Sequence, residues 1–420
     1  MNNITPIFKV LNLNLSRTKF LAIILLFAPS FAWLYILNIE MFQFAEMIGT
    51  HATPDFFWIF TGKILFLTSI VVSALIGSLI SQKLNQKKFF GAWILSGVVT
   101  TMAFTFFQEL PFFLILSVLS GISFGIGFPS CLAFVADSTT VENRARVSGI
   151  TMFSTYVLMI LLIALSLQLE LIQAVIVISI FRALSFIALI IDPFEHVSGR
   201  KRKWQTILKR KGFRFYFISW LLFNAANGIS YFVEPIQNTE SLTALAVILT
   251  YVGVAGIGLI SGFISDRYGR RKTIIFGIGT FAISYAVLSF FAEPVTWLIT
   301  QLFYGIAVGI FLVNYYLTVI GDFTERGSRE KIYAIAGVVP FILSMTFELF
   351  SQIFSISISP SQISSIVTIL LIFGSFILIF APETLPEKIM QRKAVTEHLK
   401  KAKEMVDKKS LEKTKHNDKR

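Results

Sequence analysis

Two kinds of residue in this 420-residue chain stand where chemistry can act: carboxylates in basic frames, and ionisable groups inside apolar runs. The segment GFISDRYGRR, from Gly262, sets Asp266 among Arg267, Arg270 and Arg271, with Gly269 at the reversal. A carboxylate at the end of an apolar helix can accept bonds from the free amides at a neighbouring helix's N-terminus, where the macrodipole is positive. Asp266 is therefore a candidate latch, and Gly269 permits the tight turn. Arg270 and Arg271 can hold facing carboxylates or lipid headgroups. ADSTTVENRAR carries Asp137 and Arg144, and GDFTERGSREK carries Asp322 and Arg329, each pair seven residues apart. These four can cap the helices that follow, bridge to the Asp266 loop, or stand as solvated charges.

An ionisable side chain inside a membrane span costs on the order of 3 kcal/mol or more unless it is paired or hydrated. Lys63 lies eight residues inward from Asp55, and Glu348 about seven inward from the matching end of its own run. At a helical rise of about 1.5 Å per residue, both sit roughly 10 to 12 Å deep. Glu348 is the only carboxylate well inside a run, and so also the candidate carrier of a coupling proton. Arg182, midway along another run, has no evident partner and reads as a structural anchor.

The elements that must position these groups are long and apolar. Hydrophobic residues make up 55% of the chain, and the mean hydropathy is +0.73. Apolar runs recur near 20–38, 56–80, 89–107, 111–136, 148–168, 171–192, 214–233, 241–264, 273–291, 294–320, 332–355 and 363–381. Runs of about 20 residues suit a hydrocarbon core about 30 Å thick. Connectors alternate: one set, including 40–55 and 234–240, contains no Lys or Arg, whereas the other holds Lys83, Lys87, Lys88, Arg144, Arg146, 200–214, 267–272 and 326–331. The positive-inside rule then predicts twelve crossings with both termini cytoplasmic. The first run lacks a cleavage site behind it and reads as a retained span.

The net charge of +13 is spread through these connectors and a Lys/Glu tail, so it is topological and implies no nucleic-acid partner. One cysteine, Cys131, excludes an internal disulfide, and the histidines at 51, 196, 398 and 416 are scattered, so neither a metal site nor a cofactor or catalytic constellation is expected.

The chain repeats itself. Gly77 in GSLISQKLNQKK and Gly262 are 185 positions apart, as are Asp137 and Asp322, and Arg144 and Arg329. Charged residues recurring in register mark a duplication into two six-span halves of like orientation, a parallel repeat with a path between the halves. The expected organisation is an N-terminal segment 1–19, a first bundle 20–192, a basic linker 193–213, a second bundle 214–381 and a charged tail 382–420.

These motifs resemble the major facilitator superfamily over about residues 18 to 385. Gly262, Asp266, Arg267, Gly269, Arg270 and Arg271 fill every position of its loop signature; the first copy departs, with Ser81, Gln82 and Leu84 at the Asp, basic and second Gly positions. APETLPEK, with Glu383, resembles the PET signature of the sugar-porter and metabolite:proton symporter branches, and DPFE at 192–195 is a weaker echo after the sixth span. The fifth span lacks the Gly-Pro signature of the drug-antiporter branches.

The resemblance implies an all-α membrane protein working as a secondary transporter by alternating access, a monomer in the plasma membrane with a small-molecule solute, protons and lipids as partners. A sugar or organic-acid-like metabolite is the expected solute; an efflux carrier and a non-transporting receptor on the same fold are the alternatives. It implies a cytoplasmic gate at the Asp266, Asp137 and Asp322 loops, and a Lys63–Glu348 pair closing the extracellular side between spans 2 and 11. Spans 1, 4, 7 and 10 would line the path, which points to Trp33, Tyr35, Asn224, Asn227, Gln301, Asn314 and Tyr315 as solute contacts.

Overall fold

The computed structural model describes residues 15–49, 56–107, 109–166, 168–192, 194, 204–230, 232, 240–325, 327–353, 359–387, 391 and 395. Among these the regular structure is helical, with no strand. The first half comprises α1 (Arg17–Gly49), α2 (Phe56–Ile80), α3 (Gln86–Ala103), α4 (Leu110–Gly125), α5 (Phe128–Ser138), α6 (Arg144–Ser166), α7 (Leu171–Ala183) and α8 (Phe186–Ile191). A short α9 (Trp204–Leu208) precedes the second half: α10 (Lys211–Ser230), α11 (Glu240–Tyr268), α12 (Arg270–Phe290), α13 (Pro294–Ile310), a π-helical stretch Phe311–Val319, α14 (Ile320–Phe323), α15 (Arg329–Ile353) and α16 (Pro360–Ile379).

Ten of these helices or continuous helix pairs are long and apolar enough to cross a membrane. The remaining two expected runs also form helices, α3 with 18 residues and α10 with 20, whose first turns carry Lys87, Lys88, Lys211 and Arg214. Several boundaries differ from the apolar runs. Helices α6 and α15 start at Arg144 and Arg329, because polar residues at the basic end continue the helix beyond the apolar stretch. Helix α10 starts at Lys211, and α9 lies within the expected linker, so 193–213 is not wholly irregular. The connectors 50–55 and 233–239, the linker stretch 195–203 with Glu195, and the tail from 396 lie outside the described residues.

Two seams join the halves, α6 against α11 and α2 against α15. At the basic end of the first seam a Cβ on Gly262 would run into the carbonyl of Ala145, so only glycine lets these backbones approach this closely. The fourth and tenth expected spans are both irregular at one matched place. Gly127 interrupts α4 and α5 just before Phe128 and Pro129, and the π stretch opens at Phe311, 185 positions after Ile126. Pro129 cannot donate to the turn before it, which explains the first interruption.

Gly262→Val should separate the α6–α11 seam, because the obstructing atom is backbone and cannot rotate away. A loss of about 1–3 kcal/mol is expected, read as a lowered unfolding midpoint in detergent; an unchanged midpoint would refute the close approach.

Candidate functional site

At the basic end, the carboxylates and arginines singled out by sequence collect into one buried cluster. Asp266, at the last turn of α11, is 2% exposed. Its Oδ2 accepts from the Arg146 backbone N–H at 3.0 Å and from Arg146 Nε at 3.0 Å, and Arg270 Nη2 lies 3.0 Å from its Oδ1. The first of these is the expected contact with a helix N-terminus: Arg146 stands in the first turn of α6, in the other half. Arg270, wholly buried, also donates to Asp322 Oδ2 at 3.1 Å and to the Val141 carbonyl of the first half at 2.5 Å. Gly269, at φ +107°, makes the reversal that lets Asp266 and Arg270 face one another. Arg267 is exposed, with its guanidinium over the Tyr268 ring.

Asp137, Arg144, Asp322 and Arg329 pair across the halves. Arg144 binds Asp322, and Arg329 binds Asp137, each bridge crossing between halves. Each arginine also closes the end of a helix in its own half. Arg144 donates to the carbonyls of Ala136 and Thr139, and Arg329 to those of Gly321 and Thr324. Acceptors and donors match in pairs 185 apart, so one arrangement is repeated by the pseudo-twofold. The copies differ in burial: the Arg144–Asp322 side chains are 3% and 2% exposed, the Arg329–Asp137 ones 10% and 25%.

Glu383 holds the cluster from behind. Its carboxylate accepts from the backbone N–H of Arg270 at 2.8 Å and of Arg271 at 3.1 Å, capping α12, while Thr384 Oγ1 lies 3.1 Å from Asp322. Arg271 donates to the carbonyls of Ala381 and Ile379, closing the end of α16. In the first copy Ser81 occupies the Asp266 position and its buried hydroxyl makes no hydrogen bond. Gln82 instead donates to the Gly327 carbonyl at 3.1 Å and to Glu330 at 3.2 Å. In the sequence Arg146 reads only as a topogenic charge and Gln82 only as a departure from the loop signature, and Glu330 does not stand out; the basic Lys331, 185 beyond Arg146, is the one signal of this contact.

Toward the other end, Lys63 of α2 and Glu348 of α15 form an ion pair between the halves. Arg182 is not isolated. It donates to Ser30 Oγ and to the Trp93 carbonyl and stacks 4.2 Å over the Trp93 ring, tying α7 to α1 and α3.

The expected solute contacts separate into two groups. Trp33 is buried and donates to Thr101 Oγ1 at 2.7 Å, so it packs inside the first half. Gln301 is bonded by Thr250, Asn224 donates to the Trp220 carbonyl, Asn314 donates to Ser261 Oγ and the Ile310 carbonyl, and Tyr315 stacks 4.7 Å from Trp220. In this conformation these five are held by neighbouring helices or, for Asn224, by the preceding turn of its own helix, where a polar group within a bundle finds a partner or a stacking surface. Tyr35 remains exposed, 6.3 Å from Tyr156, which stands 5.8 Å from Tyr251 across the α6–α11 seam. The Asn227 side-chain Oδ1 makes no hydrogen bond, while its backbone carbonyl accepts from Ser230 Oγ. No group of three or more metal-ligating side chains exists among the described residues.

A helical chain whose two halves meet along two seams, with breakable polar contacts at each end, has the architecture of a solute carrier. The Major Facilitator Superfamily model matches residues 20–339 and 215–411, and the chain belongs to that superfamily, whose members are transporters and not enzymes. It is 36% identical over 85 residues to an arabinose-proton symporter of Bacillus subtilis (strain 168), covering 20% of this chain and 18% of that one. It is 32% identical over 124 residues to an uncharacterized transporter of Rickettsia bellii (strain RML369-C), covering 28% of each. The matched stretches thus span well under a third of these relatives. Among solved structures, the human organic anion transporter MFSD10 (TETRAN) superposes with a TM-score of 0.70 at 13% identity, covering 89% of this chain and 100% of that one. The proton:xylose symporter XylE superposes at 0.65 and 13% identity, covering 87% and 95%. At such identities these two show the fold alone.

Exchanging charges should discriminate the two cross-half bridges. Arg329→Asp with Asp137→Arg should recover most of the function that either single change removes, because that bridge is the more exposed of the two. Arg144→Asp with Asp322→Arg should not, since Asp322 also serves Arg270 and Thr384. Equal recovery of transport in both double variants would contradict this.

Proposed function

We propose that the protein is a secondary active transporter that moves a small polar solute across the plasma membrane by alternating access, as a monomer with twelve spans in two six-helix bundles and both termini cytoplasmic. The observation that carries this reading is the pair of reciprocal bridges, Arg144–Asp322 and Arg329–Asp137, each of which crosses between the halves. Such bridges fix a closed cytoplasmic end when formed and release the halves when broken. Asp266 and its loop, Gly262 to Arg271, form the second-half side of that gate. Ser81 and Gln82 leave the first-half copy without an ionic latch, so the closed end rests mainly on Asp266. Lys63 and Glu348 supply the corresponding extracellular contact. The local match to an arabinose-proton symporter, with the Glu383 signature, supports a sugar or organic-acid metabolite taken up with protons; an efflux carrier is the second reading.

Counterflow of a labelled solute in proteoliposomes tests the carrier reading against a non-transporting receptor, which would bind without exchange. Asp266→Asn tests the gate. Removing one partner of a buried ion pair costs about 3–5 kcal/mol, enough to favour the inward-open form. In a background lacking the single, buried Cys131, a cysteine introduced on the cytoplasmic side of α5 should label faster in the Asp266→Asn variant. Equal labelling rates would refute the latch.

A further inference from the structure

Away from the basic connectors and the two terminal segments, the chain contains two cationic side chains, Lys63 and Arg182. Arg182 is wholly buried within the first half, against Trp93 and Ser30, and is sealed from any path. Lys63 and Glu348 each keep 23% exposure.

The direction of that exposure follows from helix phase. On α2, Lys63 shares a face with Leu67, Ile70 and Ala74, all buried, while Val72, Leu75, Ile76 and Leu79 on the opposite face are exposed, as lipid-facing residues would be. On α15, Glu348 shares a face with Phe341, which meets Phe128 of the first half edge-on at 6.1 Å. Seven residues of helix place Phe341 about 10 Å further in. The pair therefore opens inward between the halves, above an aromatic floor formed by Phe341 and Phe128.

From this placement we infer that Lys63 receives the carboxylate of a monocarboxylate solute whose apolar body rests toward Phe341 and Phe128, displacing Glu348 from the ammonium. Glu348 takes up one proton from the outer solution as it leaves, so one anion and one proton enter together and no net charge is added. A lysine already neutralised by a fixed carboxylate has no attraction for a second anion; protonating that carboxylate restores it. A neutral sugar gains nothing from the exchange. The inference rests on the carrier reading and deepens it by naming the solute class.

The test uses the purified full-length protein and four probes: benzoate, hexanoate, their amides benzamide and hexanamide, with D-xylose as a neutral polyol control. Both carboxylates should raise the unfolding temperature in a saturable way. Glu348→Gln, which mimics the protonated acid, should lower the half-saturating carboxylate concentration at neutral pH at least tenfold and remove its pH dependence. Lys63→Gln should abolish the effect and Lys63→Arg should keep it. If Lys63→Gln does not fold, the double variant Lys63→Gln/Glu348→Gln, which buries no unpaired charge, serves instead. Stabilisation by the amides or xylose in place of the carboxylates, carboxylate binding undiminished without Lys63, or no carboxylate binding in either wild type or Glu348→Gln would each overturn the inference. Counterflow of xylose would overturn it while leaving the carrier reading standing, whereas Lys63-dependent benzoate binding without counterflow would sustain the site and refute the carrier.

Discussion

The desolvated contact between arginines and aspartates at the basic end governs how the halves fit. Arg270 is buried against Asp266 and Asp322, and Arg144 against Asp322. Charges withdrawn from water recover little net energy against an apolar replacement, yet each becomes costly when its partner is removed. The cluster therefore contributes less to the stability of the fold than to the uniqueness of one closed arrangement. Every element around it is placed to complete a lone pair or a donor: α6 offers an amide, α12 begins under Glu383, and three helix ends surrender their last carbonyls to arginine.

The duplication would lead to a symmetric gate, and the structure departs from symmetry where the sequence does. Asp266 holds an amide and two guanidinium groups, whereas Ser81 in the matching place holds none. Gln82 offers neutral hydrogen bonds, worth less than charge-assisted ones. The more exposed bridge, Arg329–Asp137, lies on the side of that weaker copy. The closed end is thus tight along α11 and α6 and looser beside α2 and α15.

Much of this was legible in the residues. Helices followed from apolar runs, although α6 and α15 begin earlier, at Arg144 and Arg329, and the register of 185 picked out members of the buried cluster because charge recurring in step is hard to obtain by composition alone. The 185 register also contained the bridges, but in a form that local spacing concealed. Asp137 and Arg144 stand seven apart in one loop, while the fold pairs each with the other half, because Arg144 is already turned toward its own helix end by Ala136 and Thr139. Least legible was the orientation of the residues expected to meet the solute. Trp33, Asn314 and Tyr315 stand on the spans the superfamily uses for its path, yet which face a residue occupies depends on helix rotation, and an apolar helix with polar residues on more than one side does not reveal it.

The π stretch in the tenth span bears on that rotation. Each turn closed over five residues instead of four carries one extra residue, so converting a single turn would swivel everything beyond it by about 100° without parting the helix. Asn314 and Tyr315 lie within the stretch, and the Asn314 carbonyl oxygen and the Tyr315 hydroxyl have no bond to give up. The helix can act as a camshaft, presenting different side chains to the same space at constant length, with its first-half counterpart hinged at Gly127.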